Sequence, residues 1–229
     1  MKIFAHRGYS HKYPESTRQA YEAAAKSGSN GFECDVRLTK DRVVVCFHDR
    51  TLKRITGKKK AIARLTLQQL QREINVITLE ELLEIALSAK QDLLIETKHP
   101  VLTGSAIERR VLKIIEKWTP EITKAGIEVV VMSFSYFAVR RIKTRYEKAM
   151  KVIKYPAAFY FRPTKDIAVD IAVLRKHPGL IEAASPSRVY VWTVNSKEDL
   201  RWVKKRKIFG VITDRPKRAA RILLSSHSE

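Results

Sequence analysis

Two histidines, two basic residues and three carboxylates stand at or near the ends of apolar, strand-like runs in the first hundred positions. His6 and Arg7 close the run Lys2–Ala5, Glu33 and Asp35 flank Cys34 inside Gly31–Val36, His48 follows Val43–Phe47, and Glu96 and Lys98 end the run that begins at Asp92. Residues two apart on a strand point to the same face, so Glu33 projects with Asp35, and Glu96 with Lys98. Carboxylates converging from two strands repel one another unless protons or a cation intervene. Oxygen-only ligands select a hard cation, Mg²⁺ or Ca²⁺, over zinc. Three carboxylates and a divalent ion sum to −1, a phosphodiester adds another −1, and Arg7 and Lys98 bring the site close to neutral. Arginine suits bidentate phosphate recognition and lysine supplies a compact point charge. The two histidines, whose pKa values lie near neutrality, suit general acid and general base roles. Any one of these residues alone has an ordinary structural reading. Their joint occurrence at strand ends points to metal-assisted phosphodiester cleavage.

The elements that must hold these groups alternate. Strand-like runs are Lys2–Ala5, Gly31–Val36, Val43–Phe47, Asp92–Glu96, Glu128–Ser133, Lys151–Tyr155, Ile167–Val169, Val189–Val194 and Gly210–Thr213. Helical periods separate them at Ser16–Ser27, Leu79–Lys90, Ala106–Lys117, Tyr136–Tyr146, Gly179–Ala184, Lys197–Lys205 and Pro216–Leu224. Such alternation predicts an α/β fold with parallel strands. Val43–Phe47 follows the turn signal Lys40-Asp41 and reads as a hairpin return, which leaves eight strands for a (β/α)₈ barrel of TIM type with a short insertion after the second strand. In such a barrel functional groups gather at the C-terminal ends of the strands, where all of these fall. Ser16 with Gln19, and Thr78 with Glu81, match the capping-box pattern, and Pro216 suits a first helical turn. The basic stretch Thr56–Ala63 reads as a loop, and residues 1–229 as one domain without internal repeat or linker.

Composition bounds the alternatives. The longest apolar runs fall short of the roughly 20 residues that span a bilayer, and the N-terminus enters the His6 motif without a signal-peptide stretch, so a cytoplasmic address is expected. Cys34 and Cys46 read as two small buried thiols that do not face each other, because alternation sets Cys34 opposite to Glu33 and Asp35 and places Cys46 with His48. The net charge of +21 attracts anionic partners, including anionic membrane surfaces and phosphorylated small molecules. The basic residues are dispersed, and no nucleic-acid recognition motif accompanies them, so no specific nucleic-acid partner is expected. Oligomeric state is not legible here.

The ordered stretches Ala5-His6-Arg7-Gly8, Pro14-Glu15-Ser16-Thr17, Gly31-Phe32-Glu33-Cys34-Asp35-Val36, Leu38-Thr39-Lys40-Asp41, Phe47-His48-Asp49 and Ile95-Glu96-Thr97-Lys98 resemble the signature of the glycerophosphodiester phosphodiesterase family. Val191-Trp192-Thr193-Val194-Asn195 and Gly210-Val211-Ile212-Thr213-Asp214-Arg215-Pro216 resemble the family's last two strands, so the likeness runs over nearly the whole chain. It implies metal-dependent hydrolysis of glycerophosphodiesters to glycerol 3-phosphate and an alcohol. By the same resemblance Glu33, Asp35 and Glu96 hold the metal, His6 and His48 form the acid–base pair, Arg7 and Lys98 contact phosphate, and Trp192 lies near the substrate pocket.

Three departures stand out. Ser16 replaces a usual Asn, Arg42 replaces a usual Gly after Lys-Asp, and the segment between His48 and Leu79 is short where many members carry a larger insertion. A short insertion implies a more open site. Lysophospholipase D activity on the same fold is the nearest alternative, and a basic anion- or nucleic-acid-binding barrel is the non-enzymatic one. His11 and His99 read as rim or loop residues, His177 and His227 as helix-flank and tail residues.

Overall fold

Parallel strands that close on themselves carry the chain. The structure is a computed structural model describing residues 1–101 and 104–225; His227 lies outside them. The strands are β1 (Lys2–His6), β2 (Gly31–Leu38), β3 (Val44–Cys46), β4 (Asp92–Thr97), β5 (Val129–Ser133), β6 (Ala149–Ile153), β7 (Ile167–Asp170), β8 (Val189–Trp192) and β9 (Gly210–Thr213). β1 pairs in parallel with both β2 and β9, which closes the ring, while β3 lies antiparallel beside β2 and stands outside it. Eight parallel strands remain, the (β/α)₈ barrel expected.

The helices among the described residues are α1 (Arg18–Ala25), α2 (Lys53–Thr56), α3 (Leu67–Gln71), α4 (Leu79–Ala89), α5 (Ala106–Lys117), α6 (Thr119–Ala125), α7 (Tyr136–Lys143), α8 (Ala157–Tyr160), α9 (Ile171–Lys176), α10 (Leu180–Ala183), α11 (Lys197–Lys204) and α12 (Pro216–Leu223). None is long and apolar enough to cross a membrane.

Alternation sorts each strand into two cores. Phe4, Leu94, Val130, Met132, Met150, Val152, Ala168, Tyr190 and Ile212 fill the barrel interior, while Cys34, Val36, Leu93, Ile95, Val129 and Val131 pack outward with the helices. At Glu33, Asp35 and Glu96 the inward series changes from apolar to charged, and that boundary is the floor of the site. Gly8 lets the chain turn back tightly after His6. Its φ is +81°, and a Cβ there would lie 2.7 Å from the Ala20 carbonyl carbon, so any side chain would push the His6 loop off α1.

Several local expectations need correction. Ser16 is not the N-cap of α1: it sits at φ +58° with its N–H on the Arg7 carbonyl, and Thr17 caps the helix by accepting from Ala20 N. The position after Thr17 that would close a box is Ala20, so no box forms there; the Thr78–Glu81 box is present. β6 begins two residues earlier than expected and ends at Ile153, because Lys154 and Tyr155 pass beyond the strand as exposed rim residues. The segment after β3 holds more structure than a loop. α2, a 3-10 turn at Ile62–Arg64 and α3 surround a small core of Val45, Phe47, Leu52, Ile62, Leu70 and Val76.

The two cysteines do share a face. The antiparallel register sets Val36 opposite Cys46, and Cys34 lies two residues from Val36, so all three point to the outer core. The two thiols sit side by side as free cysteines, and burial first, then the neighbouring thiol, pushes Cys34 well above its usual pKa. β3 ends at Cys46, so the alternation that linked it to His48 stops there.

Candidate active site

Register brings the charged groups together. His6 stands beside Glu33 across β1 and β2, and Asp35 stands beside Glu96 across β2 and β4. One oxygen from each of Glu33, Asp35 and Glu96 lies within 4.8 Å of the others, and all three residues are buried. Arg7 Nε lies 2.7 Å from Asp35 Oδ2, and Lys98 Nζ lies 3.0 Å from Asp35 Oδ1 and 2.7 Å from Glu96 Oε1. His6, Arg7, Glu33, Glu96 and Lys98, with His48, line one cavity of about 340 Å³ at the C-terminal mouth of the barrel. Its other wall is mostly apolar: Met132, Phe134, Val152, Trp192 and Ile212, with Lys154 at the edge.

The carboxylates are not electrostatically content as the chain alone arranges them. Burial raises Glu96 to about 7 with help from Asp35, against the pull of Lys98, and burial with the Asp35 charge raises Glu33 well above its ordinary range. Asp35 goes the other way: burial would raise it, but Lys98 and Arg7 overcome that and hold it at about 2. With all three ionised, two basic groups against three carboxylates would leave one negative charge unmatched. Although Arg7 Nε is close to Asp35 Oδ2, the pair lacks hydrogen-bond geometry, and both buried atoms have no hydrogen-bond partner. A buried carboxylate oxygen without a partner, in an all-oxygen cluster whose members resist ionising together, is what a hard divalent cation would satisfy. The residues fit such an ion.

Each histidine is oriented by a carboxylate. His6 Nδ1 is 2.6 Å from Asp214 Oδ1, and its Nε2 faces Glu33 Oε2 at 3.8 Å. Asp214 also accepts from Ser10 Oγ at 3.0 Å and from Asn195 Nδ2 at 2.5 Å. Burial would raise its pKa, yet the His6 contact and these hydrogen bonds hold it at about 2. His48 Nδ1 is 2.8 Å from Asp49 Oδ1, and Asp49 Oδ2 accepts from Arg54 Nε. Burial first, then the Arg7 and Lys98 charges, lower the His48 pKa, with Asp35 and Asp49 opposing. Nδ1–H donation to a carboxylate leaves Nε2 of a neutral imidazole as the proton acceptor.

Every residue singled out from sequence reaches this cavity or its wall except Asp35, which lies directly behind it in contact with Arg7 and Lys98. Trp192 stacks edge-on against Phe134 with ring centres 5.4 Å apart and donates Nε1–H to the Ala168 carbonyl. His99 turns away toward Glu108, its Nε2 at 3.3 Å, and His11 is exposed. Sequence reasoning gave no role to Asp214, Asn195, Ser10, Asp49, Glu15 or Arg54. Asp49 is signalled by its adjacency to His48; Asp214, Asn195 and Ser10 become visible only once the barrel closes, and Glu15 and Arg54 only once the inserted segment packs on the β1 loop. Glu15 bonds both Arg7, at 3.2 Å, and Arg54, at 2.6 Å, and so ties the β1 loop to the insertion.

Comparison with known proteins agrees along the chain. A family model described as the glycerophosphoryl diester phosphodiesterase family matches residues 6–218. A probable glycerophosphodiester phosphodiesterase 1 of Mycobacterium tuberculosis is 30% identical, with 94% of this chain and 90% of that protein covered. A glycerophosphodiester phosphodiesterase of Bacillus altitudinis is 31% identical over 96% of this chain and 97% of its own length. The crystal structure of a glycerophosphodiester phosphodiesterase from Thermotoga maritima superposes with a TM-score of 0.82 at 26% identity, covering 97% of this chain and 98% of that one.

Proposed function

The chain belongs to the glycerophosphoryl diester phosphodiesterase family, and on that premise we propose a metal-dependent hydrolysis of glycerophosphodiesters to glycerol 3-phosphate and an alcohol, with His6 and His48 exchanging the protons. The protein is a phosphoric diester hydrolase. The observation that carries the finer reading is the register that sets His6 by Glu33 and Asp35 by Glu96, which gathers three buried carboxylates between two carboxylate-oriented histidines.

Glu33, Asp35 and Glu96 would hold the cation, Mg²⁺ or Ca²⁺, which when bound supplies Lewis-acid stabilisation of the phosphoryl oxygens and lowers the pKa of a neighbouring hydroxyl. The glycerol 2-hydroxyl is already tethered beside phosphorus, and well-oriented intramolecular attack gains an effective molarity of roughly 10⁵–10⁸ M. His6, with Nδ1–H committed to Asp214, takes the hydroxyl proton at Nε2. His48 protonates the departing alkoxide. Water then opens the cyclic phosphate with the two roles reversed, and glycerol 3-phosphate leaves. Arg7 and Lys98 put positive charge beside the phosphate, and the Trp192 ring packs on the glycerol carbons.

The apolar wall formed by Met132, Phe134, Val152 and Trp192 also favours a second reading, lysophospholipase D, in which the leaving group or glycerol carries an acyl chain. Assays of glycerophosphocholine against a lysophospholipid separate the two. The mechanism is tested with an analogue lacking the glycerol 2-hydroxyl. It should resist cleavage, and turnover at the parent rate would mean that water attacks phosphorus directly.

A further inference from the structure

Large apolar side chains are exposed on one side of the barrel mouth. Among the described residues six of the nine such side chains lie between positions 134 and 161: Phe134, Tyr136, Phe137, Tyr155, Tyr160 and Phe161. They arise from two neighbouring connections, those that follow the paired strands β5 and β6, at the C-terminal ends where the active-site cavity opens. Phe137, Tyr155, Tyr160 and Phe161 are each exposed by two thirds or more, from 67% to 75%. Interior packing does not account for them, and a water-facing loop gains nothing from four bare rings.

The surrounding charge has one sign. Arg140 and Lys154 are exposed beside the rings, Arg162 stacks on Phe159 at 3.9 Å, and Glu147 is the sole acidic residue from Val129 to Lys165. Glu147 precedes β6, at the opposite end of the strand from these rings. Aromatic rings at headgroup depth beside lysines and arginines are the composition of a membrane-interface surface. Basic groups within a Debye length of an anionic leaflet add attraction to that of the rings. Phe134 belongs both to this face and to the cavity wall, where it meets Trp192, so the apolar surface continues into the site.

We propose that the aromatic and basic connections after β5 and β6 form a docking surface for an anionic lipid bilayer, which sets the catalytic mouth against the membrane. The docking stands on this surface alone. Its benefit, access to diesters released from or lodged in the bilayer, rests on the phosphodiesterase reading above. Net charge by itself would bind the protein in any orientation and vanish with screening, whereas the rings predict one face and a component that survives salt.

The test is co-sedimentation with vesicles of equal phosphatidylcholine and phosphatidylserine near physiological salt, without substrate, for the wild type and the triple variant Phe137→Ser, Tyr160→Ser, Phe161→Ser. The wild type should sediment with these vesicles and scarcely with pure phosphatidylcholine, and the variant should lose roughly tenfold or more in partitioning. Its hydrolysis of water-soluble glycerophosphocholine should be unchanged, which also reports folding. As a second probe, Phe137→Trp should show blue-shifted fluorescence when vesicles are added. Equal partitioning of wild type and triple variant, absence of the shift, or a wild type that self-associates through this patch while the variant is monomeric would each overturn the proposal. Loss of hydrolysis in both proteins with sedimentation intact would count against the reaction and not against the docking.

Discussion

The two histidine–carboxylate pairs do the same local job and are built in opposite ways. His6 and Asp214 lie 208 positions apart and meet only because β9 closes on β1, where Ala5 pairs with Thr213. Ser10 and Asn195 then fix Asp214 from two further segments. His48 and Asp49 are neighbours in the chain, on the rim of the inserted segment, and Arg54 of α2 holds Asp49 in place. One pair is therefore a product of barrel closure and the other a product of a small attached structure. The Arg7–Glu15–Arg54 links join the two. Rigidity at His6 therefore comes from the whole fold, and at His48 from a few exposed ion pairs, which are individually weak.

The largest effect should come from removing what the pairs share. Replacing Glu33, Asp35 or Glu96 singly by alanine should abolish turnover; loss of Glu33 or Glu96, both pushed up by burial and the Asp35 charge, should leave the melting temperature level or slightly raised, whereas loss of Asp35, which Lys98 and Arg7 hold ionised, should lower it. A large loss of stability in Glu96→Ala would mean that the cluster is a structural ion network instead.

Next come the histidines. Replacement of either should cost about 10²–10⁴-fold in kcat/KM, the range for general acid–base groups. The two should part on leaving group: loss of His48 should matter little for a p-nitrophenyl ester, whose departing group scarcely needs a proton, whereas loss of His6 should hurt both substrates. The pH profile sharpens this. Asp214, held at about 2, stays ionised across the working range, so the limbs of the profile belong to other groups. As a general acid His48 loses its proton as pH rises, so it owns the alkaline limb, and burial places that limb below the ordinary 6.5. Removing His48 should erase the alkaline limb; erasure of the acidic limb would reverse the assignment of the pair.

The carboxylates behind the histidines should show the contrast in construction. Asp214→Asn should cost roughly 10²-fold or more in kcat, because the amide can donate to Nδ1 and leave Nε2 protonated, the wrong tautomer for a base. Asp49→Asn should cost less, about tenfold, since its site is closer to water and an exposed ion pair is worth little. Equal losses would remove the distinction between the closed-barrel pair and the local one.

Legibility followed the same division. The strand alternation exposed Glu33, Asp35, Glu96 and Lys98 because same-face spacing is a local property, and the strand ends marked the functional rim. Asp214 and Asn195 had no such signal, as their meaning depends on a closure that no local window records. The short helices α2 and α3 and the 3-10 turn were missed for a related reason: each is three to five residues long and is held by the small core around Leu52 and Ile62, not by its own periodicity. The cysteines were misjudged because their common face depends on the Val36–Cys46 register. Ser16 and Arg42, both departures from the resembling family, occupy left-handed backbone at φ +58° and +64°, where asparagine and glycine are favoured. The smallest predicted effect follows: Arg42→Gly, in the turn before β3, should stabilise the protein by about 0.5–1 kcal/mol with no change in kcat. A destabilisation on chemical denaturation would show that the Arg42 side chain matters more than its backbone.

The proposed divalent-metal phosphodiesterase centre acts on glycerophosphodiesters and depends on its ion. The most direct measurement is release of glycerol 3-phosphate from a panel of glycerophosphodiesters, with and without chelator, followed by restoration with Mg²⁺ or Ca²⁺. Release should disappear on chelation, return with the ion, and be absent from Glu96→Ala under every condition. Undiminished release in the presence of chelator, or full activity of Glu96→Ala, would contradict the proposal.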